Sequence, residues 1–188
     1  SMCRSRGHCA VMGTASSMAC MVEALGLTLP GNAAIPAADS RRKVLAQFSG
    51  MRIVEMVKEN LRPSDILTRA AFENSIMVNA AIGGSTNFVI HLLAIAGRIG
   101  VELNLQDFDI HSNHIPLLAN IQPSGKYFME DLYYAGGLPA VMKELLLHLN
   151  KEAITVTGKS IAVNVSDAEC YNREMIATTG QPINPTSG

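Results

Sequence analysis

At 188 residues the chain is long enough for one domain with a substantial core. Charged residues make up 16% and apolar ones 48%, against about 25% charged in an average soluble domain, so part of the surface is expected to be covered by more protein. The formal net charge is −1 and no basic cluster exceeds Arg41-Arg42-Lys43, which excludes the electrostatic footprint of nucleic-acid binding.

The cysteines, Cys3, Cys9, Cys20 and Cys170, form no C-x-x-C pair and no even framework, which argues against a secreted disulfide scaffold and for a reducing cytoplasm. The longest apolar stretch, Phe88 to Gly97, is too short for a membrane span and contains His91. No signal pattern opens the chain, and Ser1-Met2 reads as the scar of a truncated chain.

In chain order, a thiol on a glycine-flanked turn comes first. Thr14, Ser16 and Ser17 offer N-cap hydroxyls for a helix through Met18-Ala19-Cys20-Met21-Val22-Glu23-Ala24-Leu25, and Gly26 stops it. After the turn Leu29-Pro30-Gly31-Asn32, Asp39 or Ser40 caps a long helix to about Asn60. Its apolar residues Val44, Leu45, Phe48, Ile53, Val54, Met56 and Val57 recur at helical spacing, and Gly50 weakens its middle. Arg62-Pro63-Ser64-Asp65 breaks it. A helix capped by Thr68 or Asp65 then runs toward Ile82, and Gly83-Gly84 ends it. The helix from Phe88 to Arg98 is apolar nearly all round and is expected to be buried.

Leu105 to Asp109 reads as a short helical or irregular link, and His111 and His114 as members of a polar loop. Ile115 to Ile121 is the best strand candidate. Leu138-Pro139 opens a helix whose stripe is Val141, Met142, Leu145, Leu146 and Leu149. The β-branched runs Ala153–Lys159 and Ile161–Val165 read as strand or extended chain, and the Gly-, Pro-, Thr- and Asn-rich tail as an exit linker.

Two places carry candidate chemistry. A helix start stabilises a thiolate or an anion, so Cys9 is placed where a ligand or reactant can reach it. The opposing reading makes it a small buried hydrophobe, as Cys20 is within its apolar helix. The second place is Gly83-Gly84-Ser85-Thr86-Asn87, a helix junction with bare N–H groups and three polar side chains suited to phosphate or carboxylate. There the plain alternative is a turn with Ser85 or Asn87 as cap. His111 and His114 have no carboxylate helper at metal-site spacing and read as solvated, and His8-Cys9 has no identifiable partner for a nucleophile–base pair.

At this level of detail a series of blocks becomes specific. Cys9-Ala10-Val11-Met12-Gly13-Thr14-Ala15-Ser16-Ser17-Met18 followed by Glu23-Ala24-Leu25-Gly26-Leu27-Thr28-Leu29-Pro30-Gly31 resembles the cysteine-to-helix segment of the dihydroxyacid dehydratase and phosphogluconate dehydratase family. Asp65–Arg69, Ala71–Asn74, Gly83–Asn87, Pro123-Ser124-Gly125-Lys126-Tyr127, Gly136–Val141 and Thr155-Val156-Thr157-Gly158-Lys159 resemble family motifs in family order. The form Val11-Met12-Gly13-Thr14-Ala15-Ser16 is closer to the sugar-acid branch than to the branch making branched-chain amino acids. Phe88 departs from the pattern, which often has a small residue there, and Cys3 matches no family position.

The resemblance implies a hydro-lyase that dehydrates a 2,3-dihydroxy sugar acid to a 2-keto-3-deoxy acid with an iron–sulfur cluster, the two-iron type favoured over the four-iron type, and Mg2+. It implies an α/β fold, of which residues 1–165 are a helix-rich later part of the cluster-bearing domain with few strands. Residues 166–188 lead toward a C-terminal β-barrel domain. Cys9 is then the third of three cluster cysteines. The acidic magnesium ligands and a carbamoylated lysine lie upstream and the serine base downstream, so no catalytic residue falls in this chain. Implied partners are a small sugar acid, the remaining parts of the same enzyme and further copies in a homo-oligomer, with neither nucleic acid nor membrane. The alternatives are a dihydroxyacid dehydratase of amino-acid synthesis and a non-catalytic anion-binding or assembly module.

Overall fold

A computed structural model describes residues 9–186. The expectations for Cys3 and His8 lie outside the described residues. The helices, in order, are α1 (Thr14–Ala24), α2 (Ser40–Glu59), α3 (Pro63–Ile66), α4 (Arg69–Ala81), α5 (Asn87–Ile99), α6 (Leu105–Ser112), α7 (Met129–Tyr134), α8 (Gly137–Glu144) and α9 (Ile161–Val165).

Helices α1 and α4 pack together and form the ridge between two apolar clusters. Positions four apart on a helix share a face, so Cys20 and Ala24 of α1 join the larger cluster, while Met21 and Leu25 join the smaller. In the same way α4 sends Met77, Val78 and Ala81 to one side and Ala71, Phe72 and Ile76 to the other. α8 closes the larger cluster and α5 the smaller, where the edge of Phe88 meets the ring of Phe108 at 6.0 Å.

The helical half of the α/β expectation is met; among the described residues strand pairing is confined to isolated bridges. The segment Ile115–Ile121 is extended, but Leu117, Ala119 and Ile121 each pair with a different segment, so no ladder builds up. Two of those partners, Ile176 and Asn184, come from the tail read as an exit linker. Met175 and Ile176 are fully buried and the Ala177 N–H donates to the Leu118 carbonyl at 2.9 Å, so this part of the tail belongs to the packed unit. Ile161–Val165 is a helix, because the Ser160 hydroxyl caps the Val163 N–H and only Ile161 and Val165, four apart, are buried. His111 lies on α6, which Asn104 and Asp107 start with a reciprocal capping box.

One expectation about burial fails, and a second helix buries little. α5 buries only the stripe Phe88, Leu92 and Ala96 and leaves Ile90 and Ile99 exposed. α2 has the expected bounds, with Asp39 as its cap and Asn60 as its left-handed stop, but of its apolar residues only Met56 is buried. Val44, Phe48, Ile53, Val54 and Val57 face solvent. The helix is held along one line instead. Arg42 donates to Asn32 and to the Ile35 carbonyl, and Arg52 donates to the Val156 carbonyl at 2.5 Å while pairing with Glu59.

The loop joining α1 to α2 is fixed from inside by an acid. Glu23 is 5% exposed, and its two carboxyl oxygens accept from the Gly31 N–H at 2.6 Å and the Ala33 N–H at 2.7 Å. Burial pushes this carboxyl up to about 7, against the pull of the two N–H donors. The raised value means the folded chain binds more protons than the unfolded one between about pH 4.5 and 7. Stability from this group is therefore complete below about 4.5 and is lost as pH rises through 7, by about 3 kcal/mol. Urea unfolding at pH 5 and pH 8 is expected to show this decline, and Glu23→Gln to flatten it while lowering stability at both values, because its amide N–H2 faces a backbone donor. An unchanged slope in the variant would contradict the assignment.

Candidate functional site

The site is built around the start of α1. Three residues separate Cys9 from the N-cap, Gly13, and the helix begins at Thr14. Ser16 and Ser17, read above as possible caps, lie inside the first turn and are buried. Their hydroxyls reach outward along two directions. Ser16 donates to the Val11 carbonyl at 2.9 Å and, at a longer 3.4 Å, to that of Cys9. Ser17 accepts the Ser85 N–H at 2.7 Å.

The turn 9–12 is bounded on its other side by distant chain. The Met12 N–H donates to the Gln122 carbonyl at 2.7 Å, and the Ala10 carbonyl accepts from the Met129 N–H at 2.8 Å. Gln122 belongs to the Pro123-Ser124-Gly125-Lys126-Tyr127 loop, folded back so that the Asn120 side chain accepts the Lys126 N–H at 2.8 Å. A Cβ on Gly125 would stand 2.5 Å from the Asn120 carbonyl carbon, which is why glycine is needed there. Cys9 itself is exposed, Cys20 is buried with its thiol pushed upward by desolvation, and Cys170 is half-buried. Of these, Cys9 alone combines an anchored backbone with an outward side chain, the arrangement a metal or an incoming reactant needs.

The second candidate, Gly83–Asn87, meets the first. Besides the Ser85–Ser17 bond, the Asn87 amide donates to the Thr14 hydroxyl at 2.8 Å, so the junction docks on the first turn of α1. Most of its backbone donors are engaged. The N–H groups of Gly83, Gly84 and Phe88 bond to carbonyls of the chain, and that of Asn87 to the Ser85 hydroxyl at 3.3 Å, while the N-cap of α5 is Thr86, without a side-chain cap bond. What remains for a ligand is a cleft of about 290 Å³ lined by Gly83, Gly84, Thr86, Phe88, Phe108 and Asn113 among others. The side-chain amide oxygen Oδ1 of Asn79, at its back, is buried and has no hydrogen-bond partner among the described residues. A Cβ on Gly84 would lie 1.9 Å from that oxygen.

His111 sits 3.6 Å from Glu73, and His114 stacks obliquely on His148. No three His, Cys, Asp or Glu side chains among the described residues converge as a metal site. Cys9 can therefore provide one thiolate to a metal centre whose other ligands come from elsewhere. Glu23 was not singled out by spacing; an acid inside the apolar run Met18–Leu25 was the available signal.

Residues 1–164 match the family described as Dihydroxy-acid/6-phosphogluconate dehydratase N-terminal. The chain belongs to that family. It is 55% identical to L-arabinonate dehydratase of Rhizobium leguminosarum bv. trifolii, over 100% of the chain and 33% of that protein. It is 58% identical to L-arabonate dehydratase of Azospirillum brasilense, over 88% of the chain and 29% of the relative. With Dihydroxy-acid dehydratase of Caldanaerobacter subterraneus it shares 48%, over 99% of the chain and 34% of the relative. The chain thus spans about a third of the length of these relatives.

In this chain the loop Pro123–Tyr127 folds back between Gln122 and Met129, the two residues that bond to the turn carrying Cys9. Gly125→Ala should lower stability by about 2–3 kcal/mol, the range of an overpacked core, because backbone rather than a mobile side chain meets the methyl. Denaturant unfolding checks this, and a loss under about 0.5 kcal/mol, the level of an ordinary surface change, would refute it.

Proposed function

We propose that this chain is the cysteine-bearing part of a hydro-lyase that removes water from a 2,3-dihydroxy sugar acid, with an iron–sulfur cluster and Mg2+ as cofactors. The observation that carries the reading is the exposed Cys9 on a turn tied down by Ser16, Gln122 and Met129, beside the docked Gly83–Asn87 junction. The match to the family and the names of the relatives support it.

Hydroxide leaves poorly and the proton at C2 is weakly acidic; when bound, the cluster and Mg2+ supply Lewis-acid polarisation at the departing hydroxyl and at the carboxylate end. The protein's own contribution from this chain is placement. Cys9 provides one cluster thiolate, its backbone immobilised so that the sulfur has a fixed origin. Thr86, at the cleft between α4, α5 and α6, offers a side-chain hydroxyl to the substrate; most of the junction's backbone donors are committed to internal bonds. The sugar-acid branch is favoured by the 55% and 58% identities to arabinonate dehydratases against 48% to the dihydroxy-acid enzyme. The family match and the exposed thiol weigh against a non-catalytic assembly module.

The test is made in the full-length enzyme. Cys9→Ser is expected to abolish the visible absorption of the cluster and nearly all turnover of L-arabinonate; retention of both would remove Cys9 as a ligand. The double variant Ser85→Ala, Thr86→Ala is expected to keep its iron content and to raise KM for the sugar acid about 10-fold, as loss of one substrate hydrogen bond would do. Normal kinetics would show that the junction only caps α5. A higher kcat/KM on a branched-chain dihydroxy acid than on L-arabinonate would move the protein to the other branch.

A further inference from the structure

Ser16 is fully buried in the first turn of α1, and its hydroxyl faces back onto the cysteine turn that precedes the helix. One O–H is shared between two acceptors of that turn, the Val11 carbonyl at 2.9 Å and the Cys9 carbonyl at 3.4 Å. The remaining anchors act on the other residues of the same turn: Ala10 through Met129 and Met12 through Gln122. The Gly13 N–H also donates to the Val11 carbonyl at 2.9 Å, which tightens the curl into the helix. Among these bonds, the Ser16 hydroxyl is the one that ties the residue bearing the thiol to the rigid body of α1.

We infer that Ser16 is a positioning residue for Cys9: it moors the carbonyl of the cysteine to α1 and thereby fixes where the sulfur stands. The inference rests on the reading of Cys9 as a cluster ligand, but the mooring itself is a property of this chain. Ser17, its neighbour of equal burial, bonds to Ser85 instead and provides the internal control. Loss of a contact that orients a metal's donor lets the metal leave more readily, because second-layer contacts set the orientation of the donor.

The experiment uses the holoenzyme and three variants, Ser16→Ala, Ser17→Ala and Cys9→Ser, with two readouts. Iron release to a chelator is expected to be about fivefold faster in Ser16→Ala, the effect of one neutral hydrogen bond on a local opening equilibrium, and unchanged in Ser17→Ala. Amide hydrogen exchange at Met12 and Gly13 is expected to rise by a similar factor in Ser16→Ala while the core amides of α4 keep their protection. A general loss of stability would raise both together, and that result overturns the inference. Wild-type iron release with wild-type exchange in Ser16→Ala also overturns it, and leaves Cys9 as a ligand if Cys9→Ser lacks the cluster. A Cys9→Ser protein that retains its cluster removes the ligand reading instead; unaltered exchange at Met12 and Gly13 in Ser16→Ala then overturns the mooring as well, and faster exchange there supports it.

Discussion

Helix α1 buries three polar side chains, Ser16, Ser17 and Glu23, and that requirement organises the chain around it. A buried polar group without a partner costs a large fraction of a domain's net stability, so each must be met. Ser16 is met by the cysteine turn, Ser17 by the junction before α5, and Glu23 by the loop that leads to α2. None of these partners is a neighbouring helix face. They are loops, and α1 draws them to its two ends.

The remaining motifs belong to the same arrangement. The Val156 N–H donates to the Gly26 carbonyl, closing the C-terminal end of α1, and Gly26 is a glycine because its left-handed backbone sits against Thr155. Thr155, Thr157 and Asn164 then satisfy one another in a small polar network beneath that end. In α4, the Asn74 amide is fully buried and exchanges hydrogen bonds with the backbone of Asn150, while Arg69 forks onto Asp107. Blocks that read as chemistry in the one-dimensional sequence are in large part the polar joints of the fold.

The apolar residues along α2 give the low charge content a location. A surface helix that leaves Val44, Phe48, Ile53, Val54 and Val57 exposed, and is fixed mainly by Arg42 and Arg52, has the composition of a covered element. The relatives are about three times as long as this chain, so cover by other parts of such a protein or by a second copy are both compatible with the pattern. Helical spacing of apolar residues reports amphipathicity, not which surface is present to receive it.

From the amino acids alone came the helix bounds set by local caps and stops, such as Asp39 for α2, Gly26 after α1 and Gly83 after α4, because these depend on bonds within a few residues. The family and the candidacy of Cys9 were legible there too, since motif order is written along the chain. Tertiary structure decided everything that joins residues far apart: that Ile161–Val165 is helix despite its β-branched composition, that the tail pairs with Leu117 and Ala119, and that Gly83–Asn87 lies on the turn of α1. It also decided that most backbone donors of that junction are used internally and that Glu23 is a buried clamp. Local sequence fixes φ and ψ preferences over a turn or two, whereas the partner of a buried polar group is chosen only when the whole chain has collapsed around it.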